Sequence, residues 1–514
     1  MKPKNILAIL FLTFILLACN CNTITLPFLA ATATPTRVPR DSVTPTPVPP
    51  PAVEAGEAPF NIAWEDRSLF RNNLTSAYQG VLDGLPGASI YHLAISISDP
   101  PTHVSGVEEV RYTNQETVAL NEVDFAIFPE ILGGSIAIRK TLLDGQPITP
   151  AHSTGFLHFT LPAPLEVGKS VIFHVEFDVT VPTQGGDFYY GIFGYNDGIL
   201  SLAQSYPTIL VYNQDGWNNQ TPDLDGDPLF SDTSFYLVSV DAPADLVLVA
   251  SGVEVQRSET AGRQRVLYAD GPARDFYLAG AQGLVKKSVT TGEVTVNSYA
   301  PADLDTYSQS ALEYAQAAIQ DYSQRYAPYP YTEFDLVPIV TAAGGVEFPG
   351  MTAVAKDVYN SGYFLEIVVA HEVAHMWFYD LVGNETQNQP WLDESMAEFL
   401  TWQYYLDQHG TSGADNYKQE MQYSWDMVND ATIPIGQPVS AYTSDGYVGI
   451  VYGRGPFFLL ALRDQMGTAT FDQFMRDYVK QYSWNIATTD TFKALAEQDC
   501  NCDLTPLFDE WVYP

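Results

Sequence analysis

The stretch His371-Glu372-Val373-Ala374-His375 decides more about this chain than any other part of it. The seven residues that lead into it are apolar except for one glutamate, a composition typical of a buried helix, and we predict a helix over residues 361–381. Side chains four residues apart lie on the same face of a helix. Both imidazoles can therefore reach one metal ion, with each nitrogen about 2.0–2.1 Å from it.

A third ligand for such a metal follows after eighteen intervening residues, as Glu394 at the end of Pro390-Trp391-Leu392-Asp393-Glu394. We predict a second helix over residues 391–409, so that two histidines and one glutamate form a zinc site between helices. Glu372 then stands beside the metal as general base on the metal-bound water, whose pKa zinc lowers toward about 7. The alternative is that the two histidines are hydrogen-bonded core residues without a metal.

The first residues have the features of an export signal. Residues 1–18 combine two lysines with an apolar run too short to cross a bilayer, which predicts a signal peptide. The run ends in Leu16-Leu17-Ala18-Cys19, which resembles the bacterial lipobox, so we expect an exported bacterial protein tethered to the cell envelope or cell surface by lipid on Cys19. An ordinary secretory signal, cut elsewhere, is the alternative.

Composition separates the rest of the chain into a linker and a folded part. Residues 19–59 are rich in threonine and proline and predict an extended stalk. The net charge of −37 argues against nucleic acid as a partner. Beyond the signal no segment approaches eighteen uninterrupted apolar residues, so we expect no membrane-spanning helix there. Cys500 and Cys502 are either thiols or a labile disulfide, which the sequence does not decide.

The pattern of apolar and polar residues in the folded part changes near residue 288. From 60 to 287, short segments alternate apolar and polar residues between turn signals, which predicts an N-terminal β-sandwich or saddle-shaped domain. From 288 to 514, a few strands are followed mainly by helical patterns, typical of a thermolysin-like catalytic domain. The predicted fold class is therefore α+β with two domains.

Two further motifs carry groups suited to catalysis. In Gly344-Gly345-Val346-Glu347, the glycines allow backbone to approach a ligand and Glu347 can bind a cation. Tyr452 stands just ahead of a predicted helix, where a phenol at a zinc site can donate a hydrogen bond to a developing oxyanion. Each has an ordinary alternative, a glycine turn with a solvated Glu347 and a packing tyrosine.

The order of these motifs resembles one family: Gly-Gly-x-Glu, His-Glu-x-x-His, the later glutamate, then the tyrosine before a helix. It is similar to the gluzincin aminopeptidases, the family of aminopeptidase N, over about residues 85–514. The resemblance implies that His371, His375 and Glu394 bind a single zinc ion, and that Glu372 acts as base and then acid. It also implies that Tyr452 stabilises the tetrahedral oxyanion.

The same resemblance implies how a peptide substrate is held. Glu347 would bind the free α-amine, which makes the enzyme an exopeptidase, and Gly344 and Gly345 would lie along the substrate backbone. Glu398, four residues beyond Glu394 on the same helix face, is expected to orient a ligand histidine; a solvated carboxylate is the alternative. Relatives often add a second acid or amide to the amine site, for which Gln204 is the candidate.

The sequence also departs from the family pattern. Phe348 replaces the usual amide after the glutamate, and the stretch around Gln204 contains no acid, so we expect weaker amine anchoring. The chain stops at Pro514, where the catalytic domain of relatives ends, and we expect a more open cleft without their C-terminal helical domain.

These patterns predict a zinc-dependent aminopeptidase that removes N-terminal residues from peptides. Two alternatives stay open. One is a zinc endopeptidase of the same fold, favoured if Glu347 does not face the metal. The other is a non-catalytic surface-binding lipoprotein, which would have no need of both Glu372 and Tyr452 beside a full ligand set. The sequence does not reveal side-chain preference, physiological substrate or oligomeric state.

Overall fold

The computed structural model describes residues 58–183, 190–362, 364–428, 430 and 432–513. The predicted signal peptide, Cys19 and the linker up to residue 57 lie outside the described residues.

Strands dominate the chain up to residue 282. They are β1 Ser89–Ile97, β2 His103–Thr113, β3 Leu120–Ala126, β4 Ser135–Leu143, β5 Gln146–Pro147, β6 Ala151–Ser153, β7 Phe156–Leu165, β8 Ser170–Thr180, β9 Phe193–Asn196, β10 Ile199–Ala203, β11 Thr208–Ile209, β12 Tyr212–Asn213, β13 Gly216–Trp217, β14 Ser234–Pro243, β15 Leu246–Ala250, β16 Val253–Thr260, β17 Arg263–Ala273 and β18 Tyr277–Gln282.

These strands form a sandwich. One eight-stranded sheet has the order β16-β17-β14-β1-β2-β8-β4-β5, and two four-stranded sheets have the orders β15-β18-β10-β9 and β11-β3-β7-β6. A single apolar core takes side chains from the large sheet and from both smaller ones. On β8 the buried members of this core, such as Phe173 and Val175, alternate with outward residues. The period of two in the sequence therefore predicted a sandwich correctly.

A second sheet and a helical lobe follow. The strands are β19 Leu284–Thr291, β20 Val294–Pro301, β21 Glu333–Ile339, β22 Gly345–Phe348, β23 Met351–Ala355, β24 Val382–Gly383 and β25 Asn485–Ile486. The first five form one sheet in the order β19-β20-β21-β23-β22, in which β22 is an antiparallel edge strand. The predicted α+β architecture, with a β-sandwich ahead of a small sheet and a helical lobe, is confirmed.

The α-helices are α1 Val81–Gly84, α2 Phe128–Ile131, α3 Asp305–Arg325, α4 Lys356–Ser361, α5 Leu365–Ala374, α6 Glu394–Val428, α7 Ser444–Tyr447, α8 Gly455–Met466, α9 Thr468–Tyr482, α10 Thr489–Cys500 and α11 Thr505–Trp511. Short 3₁₀ turns cover Leu69–Asn72, Ala302–Leu304, Pro390–Leu392 and Val439–Ala441, and a π-helical turn covers Val448–Arg454. Side chains of the larger helices share one core with β20, β21 and β23. In the described part of the chain, none of these helices combines the length and apolar character needed to cross a membrane.

The prediction of one helix over residues 361–381 was wrong at both ends. Gly362 has a left-handed backbone and ends α4, and Phe364 is also left-handed, so α5 begins afresh at Leu365. The helix then stops at Ala374, and Tyr379 has a φ of 149°, which no helix accommodates. A continuous run of apolar residues indicates a buried segment but does not determine where its helical backbone begins and ends.

The helix that begins at Glu394 continues beyond residue 409. It changes direction at Gly410, whose φ of 68° and ψ of −168° are not helical, and runs on to Val428. The predicted end at 409 thus marks a kink, after which the second segment folds back beside the first. At the end of α10, Cys500 and Cys502 are joined in a disulfide.

Candidate functional site

Helix α5 carries two histidines toward one point. His371 and His375 stand four residues apart, and both are buried, at 8% and 1% exposure. The Nε2 atoms of the two rings lie 3.2 Å apart. The helix keeps this geometry because its other face packs in the core, where the hydroxyl of Tyr322 donates to the carbonyl of Ala370.

Glu394 completes the set from the first residue of α6. Asp393 Oδ1 accepts the Glu394 backbone N–H at 2.7 Å, which fixes this helix start. Glu394 Oε2 lies 3.1 Å from His371 Nε2 and 3.5 Å from His375 Nε2. Donors about 2.0–2.1 Å from a tetrahedral zinc ion stand roughly 3.3–3.4 Å from one another, so the observed triangle matches that spacing.

The other ring nitrogens already have acceptors. His371 Nδ1 lies 3.2 Å from Glu398 Oε1, and His375 Nδ1 lies 3.1 Å from the carbonyl oxygen of Phe378. With a metal ion bound and the proton on each Nδ1, each Nε2 would present a lone pair to the metal. Two lone pairs and a carboxylate oxygen facing one another repel unless a cation lies between them. The chemistry of this donor set fits zinc.

Glu372 lies beside these donors with an oxygen that is not used. Its Oε2 is buried and has no hydrogen-bond partner among the described residues. Burial raises the pKa of Glu372 to about 7, although His371 and His375 oppose the shift. A carboxyl group with a pKa near neutrality can both accept and return a proton.

Glu347 reaches the same point from β22. One carboxylate oxygen each of Glu347 and Glu372 and one ring nitrogen of His375 all lie within 4.8 Å of one another. Burial, and then the charges of Glu372 and Glu394, raise the pKa of Glu347 well above its usual range. Its Oε1 is buried and has no hydrogen-bond partner among the residues that the structure describes. The structure thus places the Glu347 carboxylate beside Glu372 and His375 and not in solvent.

The residues that flank Glu347 hold this edge strand in place. Phe348 stacks on Tyr277 of β18, with ring centroids 3.7 Å apart and planes at 6°. Gly345 lies so close to Glu372 that a Cβ there would stand 2.6 Å from its Oε1, whereas a Cβ on Gly344 would meet Val368 Cγ2 at 3.2 Å. The two glycines therefore border α5 at the proposed base.

Tyr452 occupies the π-helical turn that runs directly into α8. Its ring stacks on His371, with centroids 5.9 Å apart and planes at 21°. Burial, and then the charge of Glu394, raise the pKa of the Tyr452 phenol well above its ordinary value. The hydroxyl therefore remains a proton donor beside the donor triangle.

Gln204 is not joined to this cluster by hydrogen bonds. It follows β10, has a φ of 37°, and donates from Nε2 to Ser231 Oγ at 3.3 Å. Its Oε1 is buried without a partner, and among the described residues it makes no hydrogen bond to Glu347. The predicted second amine-binding group therefore has no observed link to the first.

A buried carboxylate that sequence reasoning did not identify, Asp227, interacts electrostatically with Glu347. Asp227 is 6% exposed, and burial followed by the charge of Glu347 raises its pKa well above the usual range. Its loop leaves the sandwich and docks on the helical lobe, where Gln387 Nε2 donates to the Asp227 carbonyl at 2.8 Å. Only the closely spaced acids of Asp223-Leu224-Asp225-Gly226-Asp227 could have drawn attention to it.

Glu398 is not a solvated carboxylate. Besides meeting His371 Nδ1, its Oε2 accepts a hydrogen bond of 2.6 Å from the hydroxyl of Tyr417. Tyr417 lies beyond the kink at Gly410, so the fold-back of α6 brings it to Glu398. Sequence spacing predicted the position of Glu398 but could not reveal Tyr417.

Comparison with known proteins assigns this region to a family. Residues 310–511, which contain the donor triangle, Glu372, Glu347 and Tyr452, match the family described as Peptidase family M1 domain. This part of the chain is similar to a peptidase family M1 domain. The predicted resemblance to the aminopeptidase N family is confirmed, and the zinc ligand chemistry of the site agrees with it.

Known proteins match part of the chain at low identity. Aminopeptidase M1-A of Oryza sativa subsp. japonica is 24% identical over 315 residues, which are 55% of this chain and 35% of that protein. Endoplasmic reticulum aminopeptidase 1 of Mus musculus is 27% identical over 212 residues, which are 38% of this chain and 23% of that protein. The match therefore spans well under half the length of these relatives.

Solved structures share the fold over most of the chain. A mutant M1 zinc metallopeptidase from Deinococcus radiodurans has a TM-score of 0.60 at 19% identity, covering 83% of this chain and 93% of that chain. A mutant from the same organism bound to Tyr-Ser-Ala substrate has a TM-score of 0.63 at 19% identity, covering 83% of this chain and 94% of that one. The M1 domain and the preceding sandwich thus occur together in both.

Proposed function

We propose that this protein is a zinc-dependent aminopeptidase that hydrolyses the first peptide bond of peptides with a free N-terminus. The observation that carries the proposal is the position of Glu347, which lies within 4.8 Å of Glu372 and His375 through their polar atoms. An acid at that place can hold a substrate ammonium while the first carbonyl reaches the base. An endopeptidase does not need a group that binds a free α-amine.

The residues around the donor triangle divide the chemistry. Zinc, when held by His371, His375 and Glu394, polarises the scissile carbonyl and lowers the pKa of a water molecule. Glu372 accepts a proton from the attacking water and later donates one to the departing amine nitrogen. Tyr452, a neutral donor stacked on His371, hydrogen-bonds the developing oxyanion.

Two carboxylates from different parts of the chain form the amine site in this proposal. Glu347 comes from the edge strand β22, and Asp227 comes from the loop that the sandwich places on the helical lobe. Burial, and then the charge of Glu347, raise the pKa of Asp227, and a substrate ammonium would relieve that repulsion. Gln204 is not part of this proposed pair, since its described hydrogen bond goes to Ser231 Oγ.

Glu398 and Tyr417 orient one ligand ring. The chain of hydrogen bonds from Tyr417 to Glu398 to His371 Nδ1 holds His371 with its Nε2 toward Glu394. Such outer partners fix the tautomer and orientation of metal-ligating histidines.

The names and ligands of relatives support the same reading. The curated relatives named above are aminopeptidases, and one of the solved M1 zinc metallopeptidases holds Tyr-Ser-Ala as substrate. We propose that this protein also acts on short peptides.

A panel of aminoacyl-chromophore substrates, each also prepared N-acetylated, tests the proposal. Aminopeptidase activity predicts that the free-amine forms are cleaved and that acetylation abolishes cleavage. Equal cleavage of both forms would replace the proposal with the endopeptidase alternative. No cleavage of either form or of unblocked peptides by the zinc-loaded protein would favour a binding protein.

We also propose that the protein is tethered to the cell envelope through lipid on Cys19. The support is the sequence Leu16-Leu17-Ala18-Cys19 after a short apolar run. In the native bacterial host, Cys19→Ser should move the protein from the membrane fraction to the soluble fraction. Retention of the variant in membranes would contradict the lipid anchor.

A further inference from the structure

The turn that follows His375 has an unusual backbone. Asp380 N–H donates to the carbonyl of His375 at 3.0 Å, and Leu381 N–H donates to the carbonyl of Met376 at 3.3 Å. Tyr379 lies inside the loop that these two hydrogen bonds close. Its φ of 149° is a backbone conformation that favours glycine. A tyrosine persists there only if its surroundings hold it.

The hold comes from the β-sandwich. Arg274, the residue directly after β17, is 2% exposed, and its Nε donates to the carbonyl of Tyr379 at 2.5 Å. Its terminal nitrogens donate to the carbonyls of Ser231 at 3.1 Å and Asn485 at 2.8 Å. One guanidinium thus ties three distant segments together, and all of its described hydrogen bonds go to backbone oxygens.

The next residue, Asp275, holds the side chain of Tyr379. Asp275 Oδ2 accepts a hydrogen bond from the hydroxyl of Tyr379, and both residues are buried, at 1% and 3% exposure. Gly383 lies flat against Arg274, because a Cβ at that glycine would stand 2.2 Å from the guanidinium carbon. Arg274 and Asp275 therefore hold both the backbone and the side chain of Tyr379.

Arg274 and Asp275, which together we call the clamp, hold Tyr379, the residue directly after the carbonyl group that orients His375. His375 Nδ1 is 3.1 Å from the carbonyl of Phe378, and that carbonyl belongs to the peptide plane that joins Phe378 to Tyr379. The plane can swing only if Tyr379 moves. The direction of His375 Nε2, and with it one corner of the donor triangle, therefore depends on the clamp.

We infer that Arg274 and Asp275 of the β-sandwich are positioning residues for His375, so that the N-terminal domain helps to hold the metal of the M1 domain. The inference rests on the proposed zinc chemistry. Without the hydrogen bonds from Arg274 and Asp275 the strained turn would relax, and His375 would lose its fixed acceptor.

The test measures how fast the full-length protein loses zinc to a chromophoric chelator. Tyr379→Phe removes the hydroxyl that Asp275 accepts from, and Arg274→Lys removes the guanidinium that binds three carbonyls. Each variant should release zinc about ten-fold faster than the wild type, the lower end of the usual effect of groups that hydrogen-bond metal ligands. Asp275→Asn keeps an acceptor for Tyr379 and should stay within about two-fold of the wild type. Tyr91→Phe is the matched control, because it removes a buried hydroxyl in the sandwich that contacts Ile209 N–H and not this turn.

A second measurement separates positioning from loss of stability. With Co²⁺ in place of zinc, the visible absorption of the metal reports the ligand geometry, and it should change in Tyr379→Phe but not in Tyr91→Phe. If Arg274→Lys fails to fold, Tyr379→Phe decides alone. Wild-type release rates and an unchanged Co²⁺ spectrum in Tyr379→Phe would overturn the inference, as would equal effects in Tyr91→Phe. Absence of bound metal in the wild type would instead overturn the proposed function.

Discussion

The carboxylate of Glu372 lies against the backbone of Gly345, where a methyl group would stand 2.6 Å from Oε1 and 2.7 Å from the carboxyl carbon. Real Cβ atoms do not approach so closely, so Gly345→Ala must displace Glu372 or the edge strand. We expect kcat to fall at least about ten-fold, with zinc content unchanged, because a general base acts only within hydrogen-bond reach of its proton. Metal analysis with steady-state kinetics measures both.

Gly344→Ala is the control for this prediction. Its Cβ would meet Val368 Cγ2 at 3.2 Å, the end of a side chain that can yield. The two variants should therefore differ clearly in kcat. Equal losses would contradict a specific role for the contact between Gly345 and Glu372.

The donor triangle predicts the metal content. The purified protein should hold about one zinc ion per chain, and His371→Ala or Glu394→Ala should lose it, because two remaining donors bind zinc weakly. Atomic absorption after dialysis provides the measurement. Full zinc occupancy in both variants would show that the triangle is not the metal site.

Glu372→Gln separates the base from the ligands. The side chain keeps its size but loses its proton-accepting oxygen, so zinc should stay bound while kcat falls by orders of magnitude. Near wild-type turnover would mean that Glu372 has a structural role only.

Glu347 should distinguish free from blocked substrates. Removing one partner of a buried charged pair commonly costs about 2–5 kcal/mol, so Glu347→Ala should lower kcat/KM on free-amine substrates by roughly ten- to thirty-fold or more. Glu347→Gln, which keeps the shape and loses the charge, should show a similar loss. Any residual cleavage of N-acetylated peptides should change little in either variant. Silence of both variants on free-amine substrates would contradict the amine site.

The raised pKa of Asp335, a residue outside the metal site, predicts that the stability of the protein depends on pH. Burial, and then the charge of Glu333, raise the pKa of Asp335 to about 7, while Asn297 donates to its Oδ1 at 2.7 Å. The unfolded pKa is about 3.9, so the native state binds the proton more tightly. The stability contributed by the protonated form is present below pH 4 and lost as the pH rises to about 7, at most about 4 kcal/mol.

Asp335→Asn tests this, because an amide can still accept from Asn297 but does not ionise. The free energy of unfolding in urea should be measured for both proteins between pH 4 and 8. The variant should gain stability relative to the wild type across that range. A constant difference between the two proteins would show that Asp335 keeps an ordinary pKa.

The sequence by itself determined what local geometry encodes. Residues four apart on a helix share a face, so the spacing of His371 and His375 predicted converging imidazoles, which the structure brings within 3.2 Å. The alternation along β8 predicted a sandwich strand for the same reason. The M1 motifs identified the family because they are short stretches whose order survives low overall identity.

Only the tertiary structure decided which distant residues meet. Arg274 and Tyr379 are 105 positions apart, and nothing in either local sequence links them. The charge of Glu347 acts on Asp227 because a sandwich loop docks on the helical lobe. Gln204, which the sequence suggested for the amine site, donates to Ser231. Periodicity fixes the direction of a side chain along its own element, but the packing of two domains sets which carboxylates, carbonyls and rings become neighbours.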